Sequence, residues 1–295
     1  MINYLISLRP HHWAKNGFIF LPLFFAQRFG DVAALFNCAT AFLGFSLVAS
    51  SIYVINDIND IEQDRLHPRK CNRPIASGAV TIRQGMILSA ISLLSGLAIT
   101  GFGVQNIILI GVVVFYFFMN LAYTLRLKRY AIIDVMIIAV GFVLRIMMGG
   151  IAADVELSSW IILMTFLLAL FLGFAKRRDD VLINKAGGIK ARANILRYNE
   201  SFIDSVLVMT AAITIVAYIM YCMSSEVVER MGSDKLYLTS IFVIAGIIRY
   251  LQRTMVDETS GNPTKLFLKD RFLQLVIIGW IASFVVIIYA HKLFL

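Results

Sequence analysis

Long apolar runs separated by polar stretches dominate this chain. Nine runs stand out, at about residues 14–28, 33–55, 82–102, 104–124, 131–151, 158–175, 203–223, 236–253 and 271–291. Most approach the ~20 apolar residues that a helix needs to cross the hydrocarbon core of a bilayer. The first is the weakest, being short and interrupted by Pro22. The polar stretches alternate in length. Residues 56–83 and 176–202 are about as long as a span, whereas 100–104 and 152–158 are brief. Long loops gathered on one face are usually functional. The pattern predicts an all-α integral membrane protein, a single domain over residues 1–295 with active-site loops at about 56–83 and 176–202.

Composition agrees. The chain is 59% hydrophobic, against roughly 45–50% in soluble domains, and only 15% charged. A net charge of +9 would by itself suggest nucleic acid. Its placement argues otherwise. Arg9 and Lys15 precede the first run; Arg65, Arg69, Lys70, Arg73 and Arg83 follow the second. Arg126, Lys128 and Arg129 follow the fourth. Lys176, Arg177, Arg178, Lys185, Lys190, Arg192 and Arg197 follow the sixth, and Arg249, Arg253, Lys265, Lys269 and Arg271 surround the loop after the eighth. The intervening connections hold only Arg28, Arg230, Lys235 and Lys292. The positive-inside rule then places the N-terminus in the cytoplasm and the C-terminus outside, with an odd number of spans. The basic excess is topological, and no nucleic-acid partner is expected. Cys38, Cys71 and Cys222 show neither zinc-ligand nor disulfide-framework spacing.

The chemistry gathers after the second run. Asp57, Asp60 and Asp64 fall at i, i+3 and i+7, which is one face of a helix. They stand at the negative end of a helix dipole, where anions are disfavoured. A divalent metal held by hard oxygens is the natural compensation. Asn56 would add an amide oxygen. A basic stretch follows, with Arg65, Lys70 and Arg73. Acid then base in one loop suits a metal–polyphosphate ligand: the carboxylates hold Mg²⁺, and the bases neutralise phosphate oxygens. The plainer alternative is a helix end with local ion pairs, such as Asp60 or Asp64 with Arg65 and Lys70.

The run Asn56-Asp57-x-x-Asp60-x-x-x-Asp64, followed by Arg73-Pro74-Ile75-x-x-Gly78, resembles the first aspartate-rich motif of the UbiA superfamily of intramembrane prenyltransferases. The resemblance implies nine transmembrane helices around a central cavity open to the cytoplasmic face, and a first motif that carries Mg²⁺ and a diphosphate. Members acting on prenyl diphosphates carry a second Asp-x-x-x-Asp motif after the sixth span. Here Asp180 is followed by Asn184, Asp179 by Ile183, and Lys176-Arg177 lead instead. That pattern is similar to the polyprenyl-phosphate phosphoribosyltransferase branch, as are Arg9-Pro10-x-x-Trp13-x-Lys15-Asn16, the tail Asp64-Arg65-x-His67-Pro68-x-Lys70, and Leu144-Arg145-x-x-x-Gly149-Gly150. The branch implies phosphoribosyl pyrophosphate and a polyprenyl phosphate as substrates, Mg²⁺ as cofactor, membrane lipid as surroundings, and leaves room for a homo-oligomer.

One aspartate cluster and one Lys/Arg cluster (Lys176, Arg177, with Asp180) would serve the diphosphate and the 5-phosphate respectively. Arg145 lies mid-span, where a charge is functional by default; it would meet a phosphate or an aspartate, or pair with Asp134. Asp134 would meet metal or ribose hydroxyls. Tyr123 and Lys128 bracket the end of the fourth span, and Lys128 would bind phosphate or serve topology alone. Lys15 and Asn16 would contact a phosphate, Trp13 would anchor at the interface, and His67 would transfer protons or be structural. Asp57, Asp60, Asp64, Arg145 and Lys176 are the expected catalytic set. Prenyl transfer to an aromatic acceptor is the runner-up. Transport fits poorly, because only Arg145 is deep.

Overall fold

The computed structural model describes residues 2–68, 70–185, 195–258 and 263–293. Arg69 and residues 186–194 of the second polar stretch lie outside them, as does Met1. The described chain is helical. Among its residues, eight helices are long and apolar enough to cross a membrane, which makes this a multi-pass membrane protein. The residues gather into two compact units, Met1–Leu157 and Ser158–Leu295.

The first unit is built on α3 (Val32–Asn59), with α5 (Ile82–Val104), α6 (Ile107–Leu125) and α7 (Ile133–Ala152). Short helices α1 (Ile2–Leu8), α2 (Leu21–Phe25) and α4 (Ile61–Arg65) complete it. Side-chain caps start the spans. Asp31 accepts from Ala34 N–H at 3.0 Å, and Asn106 accepts from Ile108 N–H at 2.9 Å. Thr81 and Gln84 form a reciprocal capping box at the start of α5. Lipid supplies no hydrophobic force to press helices together, so close packing and interhelical hydrogen bonds must do it. Gly44 and Gly96 bring α3 and α5 together: a Cβ on Gly96 would stand 2.7 Å from Gly44 O and 2.7 Å from Val48 Cγ2. Ser51 and Ser89 share a hydrogen bond of 2.8 Å across the same contact.

The first expected span is not an α-helix. Pro10–Phe20 is a long 3-10 stretch, entered through Arg9 in the left-handed region (φ 52°), and α2 follows. Pro10 and Pro22 lack the N–H that an α-helix needs. Polar side chains hold the stretch in place: Trp13 Nε1 donates to Ser50 Oγ at 3.0 Å, and Asn16 Nδ2 donates to Ser46 Oγ at 2.8 Å. Its ends are fixed too. Arg9 reaches Asp57 near the end of α3, and Arg28 pairs with Asp31 at its start. The segment therefore runs alongside the length of α3. A 3-10 rise of about 2.0 Å per residue lets few residues cover that distance.

The second unit holds α8 (Ser159–Lys185), α9 (Glu200–Met223), α10 (Ser225–Met231), α11 (Ser240–Met255), α12 (Pro263–Lys269) and α13 (Arg271–Leu293). The sixth expected span ended at residue 175, but α8 continues ten residues further as helix because no Pro or Gly intervenes. At about 1.5 Å per residue it is about 40 Å long, longer than the ~30 Å core, so its charged end projects past the hydrocarbon. Arg178 ties α8 to its neighbours, donating to Asp204 at 2.7 Å and to Thr254 O at 2.8 Å.

At the α12–α13 junction, buried Asp270 receives Arg249 Nη2 at 2.8 Å and Leu273 N–H at 3.0 Å. Burial would raise its pKa, but those donors and the charges of Arg249 and Arg253 outweigh burial and hold it below the usual carboxylate value. The stabilisation is therefore present above the unfolded pKa of about 3.9 and is lost as pH falls through the folded one.

Two outcomes are expected. Gly96→Val should lower stability by about 1–3 kcal/mol through overpacking, read as a lower melting temperature in detergent. The melting temperature of the wild type should fall more steeply below about pH 4 than that of Asp270→Asn; parallel profiles would show that Asp270 contributes no acid-sensitive stability.

Candidate active site

Helix α3 ends at Asn59, and Asp60 leaves the helical conformation (φ −100°, ψ 11°) before α4 begins. This break corrects the single-face expectation. Asp57 and Asp64 are brought to one cation, while Asp60 turns to another. Arg73 Nη1 donates to Asp57 Oδ1 at 3.0 Å and to Asp64 Oδ2 at 2.5 Å. Arg9 Nη2 donates to Asp57 Oδ1 at 2.5 Å, and Lys70 Nζ lies 3.9 Å from Asp64 Oδ1. Lys128 Nζ donates to Asp60 Oδ1 at 2.5 Å and to Asn56 Oδ1 at 3.3 Å. Asp57 and Asp64 are each only 2% exposed. Two buried carboxylates at the negative end of a helix are costly unless paired, and these cations supply the pairing.

The return of the chain is what delivers Arg73. After α4 it passes through a 3-10 turn (Lys70–Asn72) and folds back, with Val80 N–H on Pro74 O at 2.9 Å. Gly78 takes a left-handed φ of 82°, which favours glycine. Ile75 and Val80 pack on Val54 of α3, anchoring the loop. Arg65 points away from the carboxylates: its Nε donates to Ala76 O at 3.1 Å, and Glu62 is 3.8 Å from its Nη1. His67 Nδ1 accepts from Lys70 N–H, a structural use.

The donor set suits a hard divalent cation. Two carboxylate oxygens lie within 3.0 Å of one guanidinium nitrogen, and a carboxylate and an amide oxygen hold one ammonium. These cations occupy places between oxygen ligands of the kind Mg²⁺ prefers. Among the described residues, no three His, Cys, Asp or Glu side chains converge as a ready-made metal cage. Asp57, Asp64, Asp60 and Asn56 are the residues able to hold one.

Arg145 sits deeper in the same unit, 6% exposed. Its Nε donates to Asn16 Oδ1 at 2.8 Å, Nη1 to Gly141 O at 2.6 Å and Nη2 to Tyr116 Oη at 3.2 Å. The rings of Phe45, Tyr116 and Phe142 surround it at 4.9–5.3 Å. The alternative pairing with Asp134 does not form. Asp134 lies in the first turn of α7, eleven positions earlier and so about 16 Å away along the axis. It is fully buried at the favourable, positive end of that helix dipole. Tyr123 is half-buried and Lys15 exposed.

In the second unit, Lys176 is exposed, whereas Arg177 is turned inward and paired with Asp180. The expected cationic pair is therefore split, and an anion approaching Arg177 would compete with Asp180. Arg178 is the buried staple described above. Its role is visible in the helical spacing of Phe174, Arg177, Arg178 and Val181, all buried on one face. Arg9 also escaped the expected site set, although it stands in the Arg-Pro pair that opens the 3-10 stretch. Only the fold brings it to Asp57, 48 positions away.

Arg73→Ala should cost about 3 kcal/mol, the low end for breaking a buried pair, because Arg9 and Lys70 still face the two carboxylates. Thermal unfolding in detergent reads it, and adding Asp57→Asn should recover part of the loss. No recovery would mean that Arg73 acts on packing alone.

Comparison with known proteins agrees with this architecture. The profile of the UbiA prenyltransferase family matches residues 18–289. A decaprenyl-phosphate phosphoribosyltransferase of Mycolicibacterium smegmatis is 32% identical over 96% of this chain and 91% of its own length. The protein of that name from Corynebacterium glutamicum is 30% identical over 98% and 87%. In fold, a UbiA homolog from Archaeoglobus fulgidus, solved bound to DMAPP and Mg²⁺, superposes with a TM-score of 0.71 at 19% identity, covering 97% of this chain and 99% of that one. A digeranylgeranylglyceryl phosphate synthase structure superposes at 0.67, with 97% of each chain covered. With its membrane helices, its aspartate-rich loop and a family match over nearly its whole length, this chain belongs to the UbiA prenyltransferase family and is a transferase.

Proposed function

We propose that this protein transfers the 5-phosphoribosyl group of phosphoribosyl pyrophosphate to a polyprenyl phosphate, releasing pyrophosphate, at the cytoplasmic face of the cell membrane. The observation that carries the reading is that the carboxylates form one cluster, Asp57–Arg73–Asp64 with Asp60 on Lys128, while Asp180 is taken up by Arg177. One diphosphate-binding cluster suits a phosphosugar donor. The two phosphoribosyltransferase relatives, alike over almost the whole chain, support it.

Asp57, Asp64, Asp60 and Asn56 would hold Mg²⁺, which when bound neutralises charge on the departing pyrophosphate. The chain's own cations have the complementary task. Arg73, Lys70, Lys128 and Arg9 now rest on the carboxylates. Each is released as its carboxylate takes a new partner, and each then faces phosphate oxygens. The lipid phosphate oxygen attacks ribose C1 as the C1–O bond to pyrophosphate breaks, the bonding pair leaving with pyrophosphate. In-line displacement inverts C1. The nucleophile is already anionic near neutral pH and needs no strong base, so positioning and neutralising two anionic substrates is the work of the protein.

The topology that goes with this reading has the N-terminus inside and the C-terminus outside. The segment through Pro10–Phe20 and α2 serves as a ninth crossing. The pairing of Arg9 with Asp57 supports it, since both must then share the cytoplasmic face.

Purified protein given labelled phosphoribosyl pyrophosphate, Mg²⁺ and polyprenyl phosphate should move label into the lipid phase, and EDTA should stop it. Asp60→Ala should lower kcat by at least ~10²-fold, the scale of losing one transition-state stabiliser. Turnover of a prenyl diphosphate with an aromatic acceptor, and no labelled lipid, would overturn the reading.

A further inference from the structure

A second polar locus lies in the first unit, distinct from the aspartate cluster. Arg145 is buried, and its partners among the described residues are all uncharged: Asn16, a backbone carbonyl, Tyr116 and three ring faces. A guanidinium withdrawn from water without a counter-charge is costly. Natural chains keep such a group within a membrane span mainly for function. Next to its partner Asn16 stands Lys15, exposed and without a hydrogen bond or ion pair among the described residues. The charges of Arg145 and Arg9 both bear on the Lys15 ammonium. Three cations thus approach one region, and among the described residues the carboxylate paired with any of them is Asp57, which Arg9 shares with Arg73.

The surroundings are built. Asn16 is buried and fixed at both ends of its amide, its Oδ1 taking Arg145 and its Nδ2 donating to Ser46. The amide therefore cannot turn its oxygen toward an incoming anion, and the remaining N–H groups of Arg145 and the three of Lys15 are the donors at hand. Ser46 precedes Asp57 by eleven positions on α3, about 16 Å along the axis. The Asn16–Ser46 bond sets this locus at the level of Ser46, apart from the aspartates along α3. That is a separation for a second anionic group used together with the diphosphate, not for the diphosphate itself.

We propose that Lys15 and Arg145 form the binding site for a phosphate monoester dianion, with Asn16 as the positioning residue that sets the Arg145 guanidinium. The assignment rests on the phosphoribosyl reading only for the source of the phosphate: the sugar 5-phosphate of the donor or the terminal phosphate of the lipid acceptor carries the same group. It also relieves Arg177, held by Asp180, of a role that the sequence pattern suggested for it.

The test uses binding rather than turnover. Ribose 5-phosphate and farnesyl phosphate are titrated into detergent-solubilised wild type, Lys15→Met, Lys15→Arg and Arg145→Gln, with ribose, farnesol and Mg²⁺–pyrophosphate as companions. Lys15→Met should weaken at least one monoester by about tenfold, leave both alcohols and Mg²⁺–pyrophosphate within about twofold, and be rescued by Lys15→Arg. Loss of ribose 5-phosphate binding assigns the site to the donor, and loss of farnesyl phosphate binding to the acceptor. Should Arg145→Gln fail to fold, exposed Lys15 carries the test alone. Unchanged binding of both monoesters to Lys15→Met, or an equal loss of Mg²⁺–pyrophosphate binding, overturns the proposal. If the wild type binds a monoester in this Lys15-dependent way yet transfers no phosphoribosyl group, the site stands and the phosphoribosyl reading falls.

Discussion

Two aspartates buried at the negative end of α3 share one guanidinium nitrogen, and the architecture of the first unit follows from that need. A carboxylate in such a place must be met by a cation or be neutralised. Arg73 meets both Asp57 and Asp64, and to reach them the chain must break α3 at Asp60, form α4, and fold back over Val54 through Pro74–Val80. Arg9 closes the cluster from the far end of the sequence. The same pairing that steadies the fold keeps the cations close to the carboxylates.

The 3-10 segment is the second constraint. A regular α-helix across the same distance would use more residues and would not place Arg9 over Asp57, Trp13 over Ser50 and Asn16 over Ser46 in turn. The left-handed Arg9 is a strained entry, and strain of this kind persists where surrounding contacts over-determine it. Here the ion pair with Asp57 and the contact of Arg9 with the Tyr53 ring at 5.5 Å supply that support. The polar side chains of this segment therefore do two things at once. They replace the backbone regularity that its prolines remove, and they line the side of α3 that leads from the aspartates down to Arg145.

The second unit solves a plainer problem. Its long helix α8 leaves the hydrocarbon with a run of basic residues, two of which the helical period turns inward. Arg178 is held by Asp204 and a carbonyl of α11, while Arg177 pairs with Asp180 on its own helix. Basic residues that look alike in the sequence thus divide into an exposed Lys176, a buried Arg177 paired within its own helix, and a buried Arg178 that braces α8 against α9 and α11.

The sequence alone determined the membrane class, the places of the long helices apart from the 3-10 first segment and the extended end of α8, the family resemblance and the acid–base character of the first polar stretch. These depend on local composition and short-range spacing, which a one-dimensional pattern records. The partners were not legible. Nothing in the order of residues says that Arg9 faces Asp57, that Lys128 takes Asp60 rather than standing as a topogenic charge, or that Arg145 turns to Asn16 and not Asp134. Tertiary structure decided these, because a buried charge takes whichever partner packing brings within hydrogen-bond reach, as Arg145 takes Asn16 from 129 positions away.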